Sequence, residues 1–261
     1  MTRYRKLKQS PIRVKKGSVY GGFAGLCVLL MLSCAFAGFA ANAKGMDLAT
    51  EDSKNWRAKD VFILPSGIQG WYIRKPVQTD AGLEVPFNQA ATGEYTVYVH
   101  NTWAGDLTGM TLKVSFLIKW DSSTPLPVFE ARLPDSEVQV RLHFQTTAGS
   151  WEPQDLWWSE LDYTVLTSYD YDSVTGLATN PSTASSVLNS VITYVVPMTG
   201  DHWSNYYGTL GSVDKDAFDV AIADVQEIGF SFGRSGSLAS GVALSSGDAT
   251  FILTSYVIQE A

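Results

Sequence analysis

Three segments in the middle of the chain place an apolar side chain at every second position, and that repeat restricts the fold more than any other feature. Tyr95, Val97 and Val99 alternate with Glu94, Thr96, Tyr98 and His100. Leu112, Val114, Phe116, Ile118 and Trp120 alternate with Thr111, Lys113, Ser115, Leu117 and Lys119. Val138, Val140, Leu142 and Phe144 alternate with Glu137, Gln139, Arg141, His143 and Gln145. Successive side chains of a strand point to opposite faces, so a period of two gives one buried face and one less apolar face. Strands of that kind belong to antiparallel sheets, because strands of parallel sheets are apolar on both sides.

Weaker strand signals lie at Ile63 to Leu64, Trp71 to Lys75, Trp158 to Leu166 and Val191 to Pro197, and again at Glu227 to Gly233, Leu238 to Ala243 and Ala249 to Gln259. Turn clusters such as Asp80-Ala81-Gly82, Thr147-Ala148-Gly149 and Ser246-Gly247-Asp248 separate them. One short helix is expected, capped by Asp216, with Phe218, Ile222 and Val225 at helical spacing. The Ser, Thr, Asn and Gly-rich stretch from Asp170 to Ser186 reads as a long loop. Many strands and one helix predict an all-β fold, an antiparallel β-sandwich of the jelly-roll kind.

The first 43 residues are of another character. They hold seven basic residues, all within the first 16 positions, and no carboxylate, since the first is Asp47; an uncharged, mostly apolar run from Gly17 ends in Ala41-Asn42-Ala43. A basic flank, an apolar helix-forming run and a small-x-small end make a bacterial-type export signal. Cleavage after Ala43 gives a periplasmic or extracellular product; retention gives a cell-surface protein with one membrane anchor, since about 20 apolar residues span a bilayer. Two other routes remain open: lipid attachment at Cys34, where Met31-Leu32-Ser33 matches a lipobox poorly, and pilin-type processing at Gly22-Phe23, where Cys27 replaces the usual glutamate. The predicted organisation is therefore 1–43 signal or anchor, 44–60 linker and 61–261 one sandwich domain.

Without that segment the chain holds 26 acidic against 12 basic side chains, a formal charge of −14. Such a charge argues against nucleic acid and anionic membrane surfaces as partners, so contact with a membrane is expected only through an uncleaved N-terminal segment. Both cysteines, Cys27 and Cys34, fall in the signal segment, which leaves the domain without a disulfide and dependent on a large core.

No residue set for catalysis stands out. Glu160 and Asp162 in Trp157-Trp158-Ser159-Glu160-Leu161-Asp162 resemble the first two carboxylates of the E-x-D-x-x-E motif of laminarinase-like glycosidases, but the third position is Val165. Retaining hydrolysis needs two carboxyl groups about 5–5.5 Å apart, so the proton donor would have to come from elsewhere. His100, His143 and His202 lack the H-E-x-x-H spacing or cysteine partners of a zinc site. Asp170 with Asp172, Asp214 with Asp216, and Asp248 are candidate ligands for a structural Ca²⁺, without an EF-hand pattern; no cofactor is otherwise expected. Aromatic and polar residues on outward strand faces and loops are better material, because sugar rings stack on aromatic faces while their hydroxyls take hydrogen bonds. The outward rows hold Tyr98, His100, Gln139, Arg141, His143 and Gln145; the loop aromatics are Trp103, Trp151, Trp157, Trp203, Tyr206 and Tyr207.

The order of elements from Ala217 onward carries a family resemblance. A short helix, Ala217 to Val225, leads into Val225-Gln226-Glu227-Ile228-Gly229-Phe230-Ser231-Phe232 and a last strand, Gly247-Asp248-Ala249-Thr250-Phe251-Ile252-Leu253. With Val138 to Phe144 and the following Gly149-Ser150-Trp151, this resembles the galactose-binding-like jelly rolls, which include sugar-binding modules. The resemblance implies a polysaccharide or glycan as partner and a Ca²⁺ between the first and last strands. It departs from the family pattern in that no catalytic domain accompanies the module. The expected function is an exported, non-catalytic carbohydrate-binding protein using Tyr98, His100, Gln139, Arg141, His143, Trp151 and Trp157. The alternatives are a structural or adhesion protein of the cell surface, and a jelly-roll glycosidase or lyase.

Overall fold

The computed structural model describes residues 45–63, 69–132, 137–146, 155–171, 178–234 and 240–261. The strands are β1 (Trp56–Ile63), β2 (Gln69–Arg74), β3 (Val77–Thr79), β4 (Gly82–Pro86), β5 (Glu94–Asn101), β6 (Met110–Lys119), β7 (Val128–Ala131) and β8 (Val138–Gln145). They continue as β9 (Leu156–Tyr171), β10 (Ala178–Thr183), β11 (Ile192–Pro197), β12 (Trp203–Asn205), β13 (Glu227–Arg234), β14 (Val242–Ser246) and β15 (Thr250–Glu260), with one α-helix, α1 (Lys215–Ala223), before β13. The segment expected to direct export, residues 1–43, lies outside the described residues. Among those residues no helix is long and apolar enough to cross a membrane.

Two sheets form, one in the order β11-β6-β15-β4-β3 and a larger one in the order β10-β9-β8-β13-β5-β1-β2, to which β12, β14 and β7 add. Eight strands shared between them carry the topology: β4, β5, β6, β8, β9, β11, β13 and β15. Counted in chain order, they run first-eighth-third-sixth in the smaller sheet and second-seventh-fourth-fifth in the larger. That alternation between layers is the double Greek key of a jelly roll, with neighbouring strands antiparallel throughout.

Two of the three alternating segments behave as their period requires; in β5 only Val99 joins the main core, because a bulge at Val97 breaks the alternation and Tyr95 and Val97 cluster with Tyr98 and Val61. Leu112, Val114, Phe116 and Ile118 of β6 face Val138, Val140, Leu142 and Phe144 of β8 within one buried core. Phe230 of β13 meets Phe116 and Phe251 of the opposite sheet at 5.2 and 5.0 Å between ring centroids, joining the layers edge to face. Each such ring contributes about 1.5–3 kcal/mol by burial, and close aromatic pairs add about 0.5–1.5 kcal/mol. A core of this kind holds the sandwich without disulfides.

Three expectations are corrected. Residues 44–60 were expected to be a linker, but their described part belongs to the fold. Leu48, Ala49 and Trp56 are buried in the main core. The Trp56 indole donates to the Leu48 carbonyl at 2.9 Å and packs against Tyr256. The Asp47 carboxylate fastens the segment by accepting from the backbone N–H of Ala49 and of Tyr256. Apolar anchors too sparse to form a periodic pattern are enough when the last strand offers a surface. Secondly, the expected loop at Asp170 to Ser186 carries the end of β9 and the whole of β10, which pair across a bulge at Asn180. Its polar composition hid the strands because backbone pairing, not apolar alternation, holds them. Finally, α1 begins after Asp214 rather than at Asp216, and Asp216 sits in its first turn, where a carboxylate favours the helix dipole. Phe218 and Ile222 are buried as their spacing predicts.

Candidate functional site

Strand register places the outward side chains of the larger sheet in two rows that cross it. One row runs Arg57, His100, Gly229, His143 and Trp158 over β1, β5, β13, β8 and β9. The next runs Lys59, Tyr98, Ser231, Arg141 and Tyr163. His100 and His143 are therefore on strands that both flank β13 and do not pair directly, with Gly229 between them.

The outward rows were expected to be open to solvent, and they are not. Tyr98, His100, Gln139, Arg141 and His143 are each less than a tenth exposed. The central strand explains this, because its outward positions are Gly229, Ser231 and Gly233, and small residues there leave room for neighbours to lie down over β13. The Tyr98 and His143 rings accordingly meet across it at 4.6 Å between centroids. A side chain at residue 229 does not fit, since a Cβ there would lie 2.3 Å from the Val99 carbonyl oxygen and 2.6 Å from His100 Cα. Gly229→Ala is expected to lower the thermal midpoint by splaying β5 from β13, at a cost of about 1–3 kcal/mol for an overpacked site, measured by urea unfolding.

Arg141 is fully engaged. Its Nε and Nη2 donate to the Gln139 side-chain oxygen at 3.1 and 2.9 Å, and its Nη1 donates to the Ser159 carbonyl at 3.0 Å. The guanidinium also lies 3.4 Å from a Glu160 oxygen and 4.5 Å from the centre of the Tyr163 ring. Gln139 in turn donates to Glu137. Trp157 is part of the core, parallel to Phe144 and edge-on to Phe218. Trp103 and Trp203 are buried as well. Trp151 lies outside the described residues.

A β-bulge in β9 creates the surface that the sequence pattern hid. The register with β8 jumps between Arg141, opposite Tyr163, and His143, opposite Trp158, so the four residues 159–162 stand against Leu142 alone, three more than the ladder needs. Ser159 repairs the interrupted ladder: its Oγ accepts from the Leu142 N–H at 3.1 Å and donates to the Asp162 carbonyl at 2.7 Å. Bulges redirect side chains and occur beside functional sites. Here the bulge lifts Leu161, two-thirds exposed, and Tyr163, 41% exposed, beside the carboxylates Glu160 and Asp162. Ser204 on β12 donates to Glu160. Burial pushes the Asp162 carboxyl above its ordinary value, partly offset by nearby His202. Val165 stands opposite Gln139, so no third carboxylate follows in the motif position.

Beyond β12, the Asn205 carboxamide oxygen accepts from the backbone N–H of Tyr207 and Thr209, shaping a tight turn. That turn presents Tyr206 and Tyr207, both more than half exposed. Tyr206 lies 6.0 Å from the buried Trp158 and 5.7 Å from Tyr207, edge-on. Tyr163 and Leu161 of β9, and Tyr206 and Tyr207 after β12, are thus exposed on two paired strands that the Ser204–Glu160 contact joins. Among the described residues, the expected binding set of Tyr98, His100, Gln139, Arg141, His143 and Trp157 is buried; Tyr206 and Tyr207 come from the loop aromatics, and Glu160 and Asp162 from the partial glycosidase motif.

No family model matches the chain. No curated protein matches it either. Among solved structures, one similar chain is described as belonging to endo-acting O-glycanases that prominent members of the human gut microbiota express to initiate mucin breakdown. It is 13% identical with a TM-score of 0.35, over 69% of this chain and 79% of that one. Similarity at that level leaves the fold resting on the strand order described above.

Among the described residues no three His, Cys, Asp or Glu side chains converge as metal ligands. Asp248 accepts from the Gln89 side chain, and Asp214 precedes α1. Asp172 lies outside the described residues.

Proposed function

We propose that this chain is an exported, non-catalytic carbohydrate-binding protein of galactose-binding-like jelly-roll type, and that it holds glycan on the surface at the β9 bulge. The observation that carries this reading is the exposed group of Tyr163, Tyr206, Tyr207 and Leu161 next to the Glu160 and Asp162 carboxylates. Aromatic faces stack on the C–H faces of pyranose rings, and carboxylates accept hydrogen bonds from sugar hydroxyls. Tyr163 is pre-set for stacking, because the Arg141 guanidinium covers one ring face and fixes its orientation, which reduces the ordering cost of binding. Export rests on the basic, apolar and small-residue pattern of residues 1–43. A net negative domain favours neutral glycans over anionic ones.

The test is retention on immobilised plant, algal, bacterial and mucin-type glycans. The wild type is expected to bind at least one class, and Tyr163→Ala and the pair Tyr206→Ala with Tyr207→Ala are each expected to weaken it about tenfold or more, in line with about 1–2 kcal/mol for a buried aromatic contact. Unchanged retention in both variants, with their thermal midpoints intact, rejects this surface as the binding site.

A further inference from the structure

Beneath the proposed glycan surface the outer face of the larger sheet buries a cluster of ionisable groups that the binding reading leaves unused. His143 is 1% exposed and His100 is 5% exposed. The His143 ring is hydrogen-bonded to the Gly229 backbone, and its Nδ1 has no partner. His100 Nε2 is likewise without a partner, while its Nδ1 lies 3.4 Å from Glu227, an electrostatic contact without hydrogen-bond geometry.

The charged and titratable groups facing His143 come from every described strand around it. They are Lys59 on β1, Tyr98 and His100 on β5, Glu227 at the start of β13, Arg141 on its own strand, and Glu160 and Tyr163 on β9. Arg141 is matched by Glu160, so a proton added to His143 joins Lys59 and His100 against the single carboxylate of Glu227. It also places an N–H at Nδ1, where no acceptor waits, and a buried donor left unpaired is costly.

We propose that the His143–His100–Glu227 cluster is an acid-sensitive latch: the outer face of β5, β13 and β8 is closed when His143 is neutral and loosens when it takes up a proton. Loosening reaches the exposed surface by direct contact. His143 stacks on Tyr98 and stands opposite Trp158, and Trp158 packs against Tyr206. The latch is a property of the fold, and only its effect on glycan retention rests on the proposed function.

Burial, the neighbouring His100 and Lys59 all push the His143 imidazole well below its ordinary value of 6.5, against the Gly229 hydrogen bond. The sign follows. Above pH 6.5 neither the folded nor the unfolded state protonates this group, and it costs nothing. As the pH falls below 6.5 the unfolded chain takes up the proton first, so stability is lost down to the folded-state value.

The experiment follows the thermal midpoint of the wild type and of His143→Gln from pH 7.5 to 4.5, together with the imidazole titration of the wild type by NMR. The wild type is expected to lose about 3–5 °C for every tenfold preference of the fold for neutral imidazole. The variant is expected to have a visibly shallower acid slope, and His143 to take up its proton only well below pH 6.5. A His143 titration at or above pH 6.5 overturns the proposal, whether or not the variant folds. An identical acid slope in wild type and variant overturns it as well. If the wild type retains glycan at pH 7, retention is expected to fall several-fold over the pH range in which NMR shows His143 taking up its proton. Failure to bind at pH 7 counts against the glycan reading alone, because the midpoint and NMR measurements need no ligand.

Discussion

Replacing Arg74 by Met is expected to destabilise the protein by about 3–5 kcal/mol, the cost of leaving a buried carboxylate without its cation. The partner is Asp60, whose side chain is fully buried where β5 bulges at Val97 against β1. Arg74 grips it with two nitrogens, Nε at 2.5 Å and Nη2 at 3.2 Å. The same guanidinium donates to the Thr96 hydroxyl at 2.9 Å and to the Pro86 carbonyl at 2.7 Å. One side chain thereby ties β2 to β1 and β5 and to the end of β4 in the other sheet. With an m-value of about 2–3 kcal/mol per molar for urea, the unfolding midpoint is expected to fall by about 1–2 M. The double variant Asp60→Leu with Arg74→Met separates lost charge pairing from lost shape. An apolar pair in place of a buried ion pair is often neutral or better, so most of the loss is expected to return. A single variant within about 0.5 kcal/mol of wild type would show that water reaches Asp60.

The second large effect is expected at Trp203, where the core and the proposed binding surface meet. Its indole is fully buried, donates to the Pro197 carbonyl at 3.0 Å and packs edge-on to Phe144 at 5.0 Å. Trp203 also pairs in register with Ser159, and its neighbour Ser204 pairs with Trp158 and holds Glu160. Trp203→Ala is expected to cost about 3–5 kcal/mol through the cavity it leaves. It is also expected to abolish glycan retention at temperatures where the variant is still folded, because β12 is what carries Tyr206 and Tyr207 into place. Trp203→Phe keeps most of the packing, loses the hydrogen bond to Pro197, and is expected to keep most of the retention. Circular dichroism melts and glycan retention on the same samples distinguish the two variants.

How far the sequence speaks depends on what holds each part. β6 and β8 are legible in it because apolar alternation is what buries their inner faces, and β5 only in part, since the bulge at Val97 breaks its alternation. β10 and residues 45–55 are not, because hydrogen bonding to β9 and β15 holds them without an apolar pattern. The site is less legible still. Gln139, Arg141 and His143 look like a wet row, since a period of two separates the faces of a strand but says nothing about what lies over the outer one. The signal that corrects it is present on another strand, in the small outward residues Gly229, Ser231 and Gly233 of β13, and it acquires meaning only once β13 is known to lie between β5 and β8. The bulge at Ser159 leaves a fainter trace. A hydroxyl can stand in for a backbone group in a ladder, but many serines in strands do no such thing.

The seam between the start and the finish of the sandwich has a practical corollary. The Gly45 N–H donates to the Ile258 carbonyl at 2.9 Å, so the first and the last described segments of the sandwich lie side by side. A short bridge of a few residues is then long enough to join them, and fresh ends can be opened at an exposed turn such as Asp121 to Thr124. A circularly permuted chain of this kind is expected to refold to the same sandwich, and the unit can be spliced into a surface loop of a host protein as a single insert.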